Sequence, residues 1–176
     1  MSLTIRAAGP LDRHALEALC ADLLREHRDR YGPLYPAFAP DLAAAAYAAE
    51  WYDRLRHGDP KCLVWLATDR APVGFLAAEE CLRSVGEPAR YCFAEWLYVR
   101  PDDRHQGIAL ALIGRMVAAC RERGLTHVEC QTVAGDIQWQ RRGWTPTAVR
   151  HMRPVDGLAA DVDRAASDYP LAKDIP

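Results

Sequence analysis

Three strand-like segments follow one another at 62–68, 73–81 and 90–99, and they constrain the fold more than any other feature of the chain. The first reads Cys62-Leu63-Val64-Trp65-Leu66-Ala67-Thr68, a short apolar run rich in the residue types that strands favour. Asp69-Arg70-Ala71-Pro72 separates it from the second and has the composition of a hairpin turn, and a turn region with Gly86 and Pro88 precedes the third. Strands joined by links this short pair as antiparallel neighbours. A sheet with such a centre needs helices to cover it, and the flanking sequence supplies them.

The opening residues 3–7 alternate as a half-buried strand does, and Gly9-Pro10 breaks the pattern. Asp12 is placed to cap a helix carrying Leu16, Leu19, Cys20 and Leu23 at helical spacing, which ends before Tyr31-Gly32-Pro33. Asp41 then caps an alanine-rich helix running to about Arg56, where His57-Gly58-Asp59-Pro60 stops it. After the three strands, a helix is expected at 105–123, with Ile108, Leu112, Met116 and Cys120 along one face and Gly124 as its terminator. A strand at 127–133, a short helix at 136–142 and a strand at 144–153 complete the order β-α-α-β-β-β-α-β-α-β. This is a mixed α/β layout, one three-layer domain over 1–153, followed by a tail at 154–176 that docks or stays loose.

The chain has 176 residues, half of them hydrophobic and 26% charged, which suits one folded domain with a real core and argues against disorder. No run approaches the roughly 18–20 apolar residues of a membrane helix, and the first six residues lack the pattern of a secretion signal. The expected compartment is the cytoplasm, with no membrane partner. A net charge of −2 gives no global reason to expect nucleic acid as a partner. Six cysteines, Cys20, Cys62, Cys81, Cys92, Cys120 and Cys130, lie scattered in apolar stretches with no C-x-x-C pair. They read as reduced core thiols, with neither a disulfide framework nor a metal site.

The segment 95–109 carries the chemistry. An apolar strand ending Leu97-Tyr98-Val99 runs through Arg100-Pro101-Asp102-Asp103 directly into a helix with Gly107 at its start. A helix start offers unpaired backbone N–H groups and the positive end of the dipole, so it attracts phosphate. Gly107 lets that backbone approach a pyrophosphate, Arg104 adds a cation, and Ala109 is small enough not to crowd it. The competing interpretation is a glycine placed for helix packing. The segment is neither a Walker loop nor a three-glycine dinucleotide fingerprint.

Arg104-His105-Gln106-Gly107-Ile108-Ala109 resembles the R-x-x-G-x-[GA] acetyl-CoA signature of the GNAT superfamily of N-acetyltransferases. Downstream, Trp139-Gln140-Arg141-Arg142-Gly143-Trp144 is similar to that family's aromatic, three residues and Gly-Phe. The element order agrees from residue 3 to about 153. The resemblance implies a central mixed, mostly antiparallel sheet that splays between its fourth and fifth strands to admit acetyl-CoA. Leu97, Tyr98 and Val99 would line the pantetheine arm, with the backbone of Leu97 and Val99 pairing to it. Arg104, His105, Gln106, Gly107, Ile108 and Ala109 would hold the pyrophosphate. Chemistry would be direct attack of an amine on the thioester, without an acyl-enzyme or a metal.

A protonated amine must lose its proton before attack, and the resemblance assigns that task to a carboxylate at Glu95. The alternative is that Glu95 pairs with a basic residue or sits at a solvated strand position. Glu79 and Glu80 are secondary candidates; being adjacent, they point to opposite faces of the sheet. Trp139 stands where many relatives carry the tyrosine that protonates the departing thiolate, and an indole N–H cannot do so. Thr132 stands where an asparagine is frequent, and no general acid is nominated. Tyr35, Tyr47 and Trp51, with Tyr31 and Phe38, crowd the region that shapes the family's acceptor pocket, and packing on the sheet is the rival account of them. Arg141 and Arg142 are candidates for the 3′-phosphate or plain surface charges. The expected activity is acetyl transfer to a primary amine, a small one before a protein lysine or N-terminus. The alternative is a non-catalytic acyl-CoA-binding or regulatory module on the same fold. A homodimer is one expected assembly.

Overall fold

The computed structural model describes residues 3–31, 40–83 and 89–130. The chain divides into two compact units, Met1–Val133 and Ala134–Pro176, and the described residues all lie in the first. The elements expected at 136–142 and 144–153, and the boundary expected after 153, fall outside the described residues.

The order is β1 (Thr4–Ala7), α1 (Arg13–Tyr31), α2 (Pro40–Arg56), β2 (Cys62–Asp69), β3 (Ala71–Arg83), β4 (Ala89–Val99), a 3₁₀ turn (Pro101–Asp103), α3 (Ile108–Glu122) and β5 (Val128–Cys130). The five strands form one sheet in sequence order, with β1 to β4 antiparallel and β5 parallel to β4. The parallel pair needs a crossover, which α3 provides. The β2–β3 hairpin is tighter than the four-residue turn suggests: Asp69 pairs with Ala71, and Arg70 alone turns the chain in the left-handed region at φ 60°.

Alternation along the strands divides the apolar residues between two cores, as a sheet covered on both faces requires. On one face Val64, Leu66, Phe75, Ala77 and Tyr98 pack against Leu16, Leu19, Leu23 of α1 and Ala48, Trp51 of α2. On the other, Leu63, Trp65, Leu76, Ala78, Cys92 and Val99 pack against Ile108, Leu112, Met116 and Cys120, the stripe expected for α3. The fold is therefore the α/β three-layer arrangement with a mixed, mostly antiparallel sheet.

Gly74 is required by a close approach of strands. A Cβ there would sit 2.6 Å from the Tyr98 carbonyl oxygen and 3.3 Å from Val99 Cα, both backbone atoms that cannot step aside. Gly74→Ala is expected to destabilise the protein by about 2–4 kcal/mol through overpacking at a buried position. Urea unfolding would show this as a lower midpoint at an unchanged slope.

Candidate active site

The fourth strand changes its register in the middle. Ala78 pairs with Ala94 and Ala77 with Trp96, so Glu95 is an extra residue, a β-bulge. The bulge resets which side chains face which layer. Cys92 and Ala94 face α3, and so do Leu97 and Val99, although 94 and 97 are three apart. Trp96 and Tyr98 pack on the α1/α2 side.

Among the described residues β5 pairs with β4 at Cys92, Phe93 and Ala94, next to the bulge, and β4 runs on to Val99. Beyond the bulge the Arg100 N–H bonds Val73 O at 2.9 Å, and the Tyr98 carbonyl lies against Gly74. Those backbone groups go to β3, so Leu97 and Val99 turn theirs to the opposite side. The N–H groups of Leu97 and Val99 are thus turned from β3, while Val99 O accepts from Arg104 Nε at 2.8 Å. Tyr98 is set apart from them: its side chain is buried toward α1 and its carbonyl faces β3.

The turn after β4 leads into α3. His105 (φ 64°) and Gly107 (φ 81°) are both left-handed and flank Gln106, so the backbone alternates in hand. Such alternation turns successive N–H groups toward one point, the geometry of an anion-binding nest. Gly107 is the N-cap of α3, which therefore begins at Ile108 rather than at the expected 105. The physical reason is that a left-handed residue cannot belong to a right-handed helix. Among the described residues no acceptor takes the N–H groups of Gln106, Gly107, Ile108 and Ala109; the first bond back into the turn is Ala111 N–H to Gly107 O at 2.9 Å. His105, Gln106 and Gly107 are exposed, and a Cβ on Gly107 would meet nothing within 4 Å. An open helix start of this kind, at the positive end of the dipole, can hold a pyrophosphate. The adjacent hollow of about 80 Å³ lined by Leu3, Asp69, Asp103, Gln106 and Ile108 is too small for a nucleotide and carries two carboxylates.

Arg104 is not the free cation that the motif suggests. Its Nε donates to Val99 O at 2.8 Å, and Nη1 and Nη2 donate to the two carboxylate oxygens of Glu26 at 3.0 and 2.5 Å. The guanidinium also lies over the Tyr98 ring, 5.7 Å from its centroid. A second pair runs parallel to it: Arg100 Nε donates to Asp22 Oδ2 at 3.1 Å. Asp22 and Glu26 are four apart on α1 and share a face. The sequence reading missed both acids, because their partners lie 78 residues away.

Glu95 is half-buried and faces α1 and α2. Burial raises its pKa above the ordinary carboxylate value, and the charges of Glu50 and Glu79 push the same way. The Trp96 indole N–H near the carboxylate opposes the shift, although it closes no hydrogen bond of normal geometry. Arg54, the nearby cation, is committed to Asp59 at 2.9 Å and Glu79 at 3.1 Å. Glu80 points to the α3 side, where Arg90 and Arg123 hold it. Of the three candidate carboxylates, Glu95 is the one that combines burial with no dedicated cation among the described residues, the setting of a proton acceptor.

Tyr47 is partly buried and packs edge-on against Trp96, ring centroids 5.5 Å apart, which brings it beside the Glu95 bulge. Trp51 is only 3% exposed and lies within the α1/α2 core under the Arg54 guanidinium, so its ring is spent on packing. Tyr35, Thr132, Trp139, Arg141 and Arg142 lie outside the described residues. The thiols of Cys20, Cys62 and Cys92 are poor nucleophiles: burial pushes Cys20 and Cys92 up to about 12 and Cys62 up to about 11. Among the described residues no His, Cys, Asp or Glu cluster could hold a metal, and no helix is long and apolar enough to cross a membrane.

Residues 20–141 match the family model described as the Acetyltransferase (GNAT) family. No curated protein matches the chain. Among solved structures it is similar to a GCN5-related N-acetyltransferase from Ralstonia eutropha JMP134, with a TM-score of 0.63 and 20% identity over 88% of this chain and 99% of that one. A predicted acetyltransferase with acetyl-CoA from Clostridium acetobutylicum gives a TM-score of 0.66 at 16% identity, covering 88% of this chain and 97% of that one. An aminoglycoside acetyltransferase from an uncultured soil metagenomic sample gives 0.61 at 21%, covering 88% and 99%.

Proposed function

The chain belongs to the GNAT family of acetyltransferases, and from that premise we propose that it moves the acetyl group of acetyl-CoA directly onto a primary amine. The observation that carries this reading is the coincidence of three features at one place. The last residues of β4, Leu97 and Val99, turn backbone groups away from β3, the nest before α3 lies open at the end of β4, and a half-buried carboxylate stands at the bulge in the same strand.

In this reading the pantetheine arm lies along β4 and pairs with the backbone of Leu97 and the N–H of Val99, whose carbonyl is held by Arg104, which keeps the donor extended. The N–H groups of Gln106 to Ala109 bind the pyrophosphate. Glu95 takes the proton from the ammonium form of the acceptor, directly or through a water, and the neutral amine attacks the thioester carbon. The C–N bond forms and leaves a proton on nitrogen; as the tetrahedral adduct collapses and the C–S bond breaks, that nitrogen gives up its proton to water and the CoA thiolate takes one from water, so CoA leaves as the thiol. Direct transfer is favoured over an acyl-enzyme because the thiols at Cys20, Cys62 and Cys92 stay protonated at neutral pH.

A small cationic amine is the favoured acceptor class. Among the described residues, Glu50 and Glu79 act on Glu95 against one cation, Arg54, so an ammonium group meets net negative charge there, and Tyr47 offers it an aromatic edge. The similarity to an aminoglycoside acetyltransferase is in keeping with this. A protein lysine or N-terminus is the second choice. Trp139 supports a different reading, a module that binds acyl-CoA without turnover, because it offers no acidic proton where many relatives do.

One experiment separates the two. Acetyl-CoA is incubated with a panel of polyamines, amino acids, aminoglycosides and lysine peptides, and CoA is read by chromatography because the protein's own cysteines react with thiol reagents. Amine-dependent CoA release is expected. Acetyl-CoA at about 100 times its Kd should also stabilise the fold by about 2.7 kcal/mol. Stabilisation without release for every amine would favour the binding module.

A further inference from the structure

We propose that Glu26 is a positioning residue for the cofactor, and that Arg104 acts as a bracket shaping the pyrophosphate loop rather than as a phosphate ligand. This rests on reading the turn before α3 as the pyrophosphate site.

The geometry of Arg104 carries the argument. Three of its five N–H groups are committed, Nε to Val99 O and one from each terminal nitrogen to Glu26. The bond to Val99 closes the turn from the end of β4 to the residue before the nest, with Pro101–Asp103 inside it. The bidentate pair then fastens that closed turn to α1, which is itself packed on the sheet. One turn back along α1, Asp22 holds Arg100 at the other end of the same segment. Two acids four apart on a rigid helix thus grip two arginines four apart on the turn. His105 and Gly107 follow directly, in left-handed conformations that an unanchored chain would rarely hold together. The fork is electrically neutral with Glu26 in place, so it adds little net attraction for phosphate. What it supplies is a fixed aim for the backbone N–H groups.

The two roles predict opposite signs. If Arg104 bound phosphate, removing the Glu26 charge would free it and tighten acetyl-CoA binding. If Arg104 is a bracket, the same change loosens the turn and weakens binding. Lysine at 104 keeps the charge but cannot grip Glu26 bidentately and reach Val99 together.

The test is calorimetric titration of the full chain with acetyl-CoA, paired with NMR titration by acetyl-pantetheine, which lacks the phosphates. Glu26→Gln and Arg104→Lys are each expected to raise the acetyl-CoA Kd about tenfold. The double variant should be no worse than about the single ones, since both break one unit. Acetyl-pantetheine binding should stay unchanged, a selectivity that general loosening of the fold would not give. Should Glu26→Gln fail to fold, Arg104→Lys carries the same test. Tighter or unaltered acetyl-CoA binding in Glu26→Gln, wild-type affinity in Arg104→Lys, or equal loss for acetyl-pantetheine overturns the bracket. Gly107→Val keeps the two readings apart. If it binds acetyl-CoA normally, the loop is not the site; if it loses binding while Glu26→Gln does not, only the bracket fails.

Discussion

Glu95→Gln should lower kcat by about 10²–10³-fold, the usual cost of losing a general base, while raising Tm at neutral pH by a few degrees. The two halves of this result have one cause. The carboxylate at 95 is held half-buried, near Glu50 and Glu79, while the closest cation is committed elsewhere. The folded state therefore binds a proton at Glu95 more readily than the unfolded chain does. For such a raised pKa, stability falls as pH climbs from the unfolded to the folded value, and the penalty is full above the latter. Glutamine removes the penalty, so its gain in Tm should be present at pH 7–8 and shrink as pH falls toward the ordinary carboxylate range. Catalysis has the opposite dependence. The wild-type rate should fall as pH drops through the raised pKa of Glu95, and in Glu95→Gln that acid limb should vanish. Rate profiles and melting curves over the same buffers check both. Loss of activity together with loss of stability at neutral pH would make Glu95 a structural residue.

Gly107→Val is the second large effect, expected to weaken acetyl-CoA binding about a hundredfold with only a modest fall in Tm. The left-handed φ of 81° costs a residue with a Cβ about 1–2 kcal/mol, which a domain of this size tolerates. The protein itself offers no clash, because nothing lies within 4 Å of the added Cβ. The space it enters is the exposed side of the nest, where a phosphate would sit. Calorimetry checks the affinity and a melting curve checks the fold. A variant that lost stability and kept affinity would remove the loop from the binding site.

The fold was legible where local pattern decides it. The three central strands follow from apolar runs and short links, and the α3 stripe of Ile108, Leu112, Met116 and Cys120 follows from helical spacing. Detail failed where the deciding interaction was distant or offset by one residue. Ala94, Trp96 and Leu97 are all apolar, so alternation could not reveal that Glu95 is looped out between them. The start of α3 was misplaced because the left-handed turn at Gly107 precedes the helix and does not open it. Tyr47 and Trp51 were correctly placed on one helix face, yet one borders the bulge and the other lies deep in the core. Which of two residues a turn apart reaches the edge depends on how α2 lies across the sheet, and spacing along a helix contains no such information. Arg104 carried a recognisable motif, but its partner Glu26 became visible only when α1 and the turn met.

The bulge also separates two kinds of tolerance. Substitution at 95 leaves the strand's length alone, so the layers on either side keep their order. Deletion of Glu95 would keep that order too, because Ala94 would be followed directly by Trp96 and the two already pair with the adjacent Ala78 and Ala77. Leu97 and Val99 would still face α3, with Trp96 and Tyr98 on the α1/α2 side, whereas a deletion elsewhere in the strand has no extra residue to absorb it and turns side chains to the wrong layer. A deletion scan along β4 should therefore find its mildest loss of folded protein at Glu95, with activity lost there all the same because the carboxylate goes with the bulge.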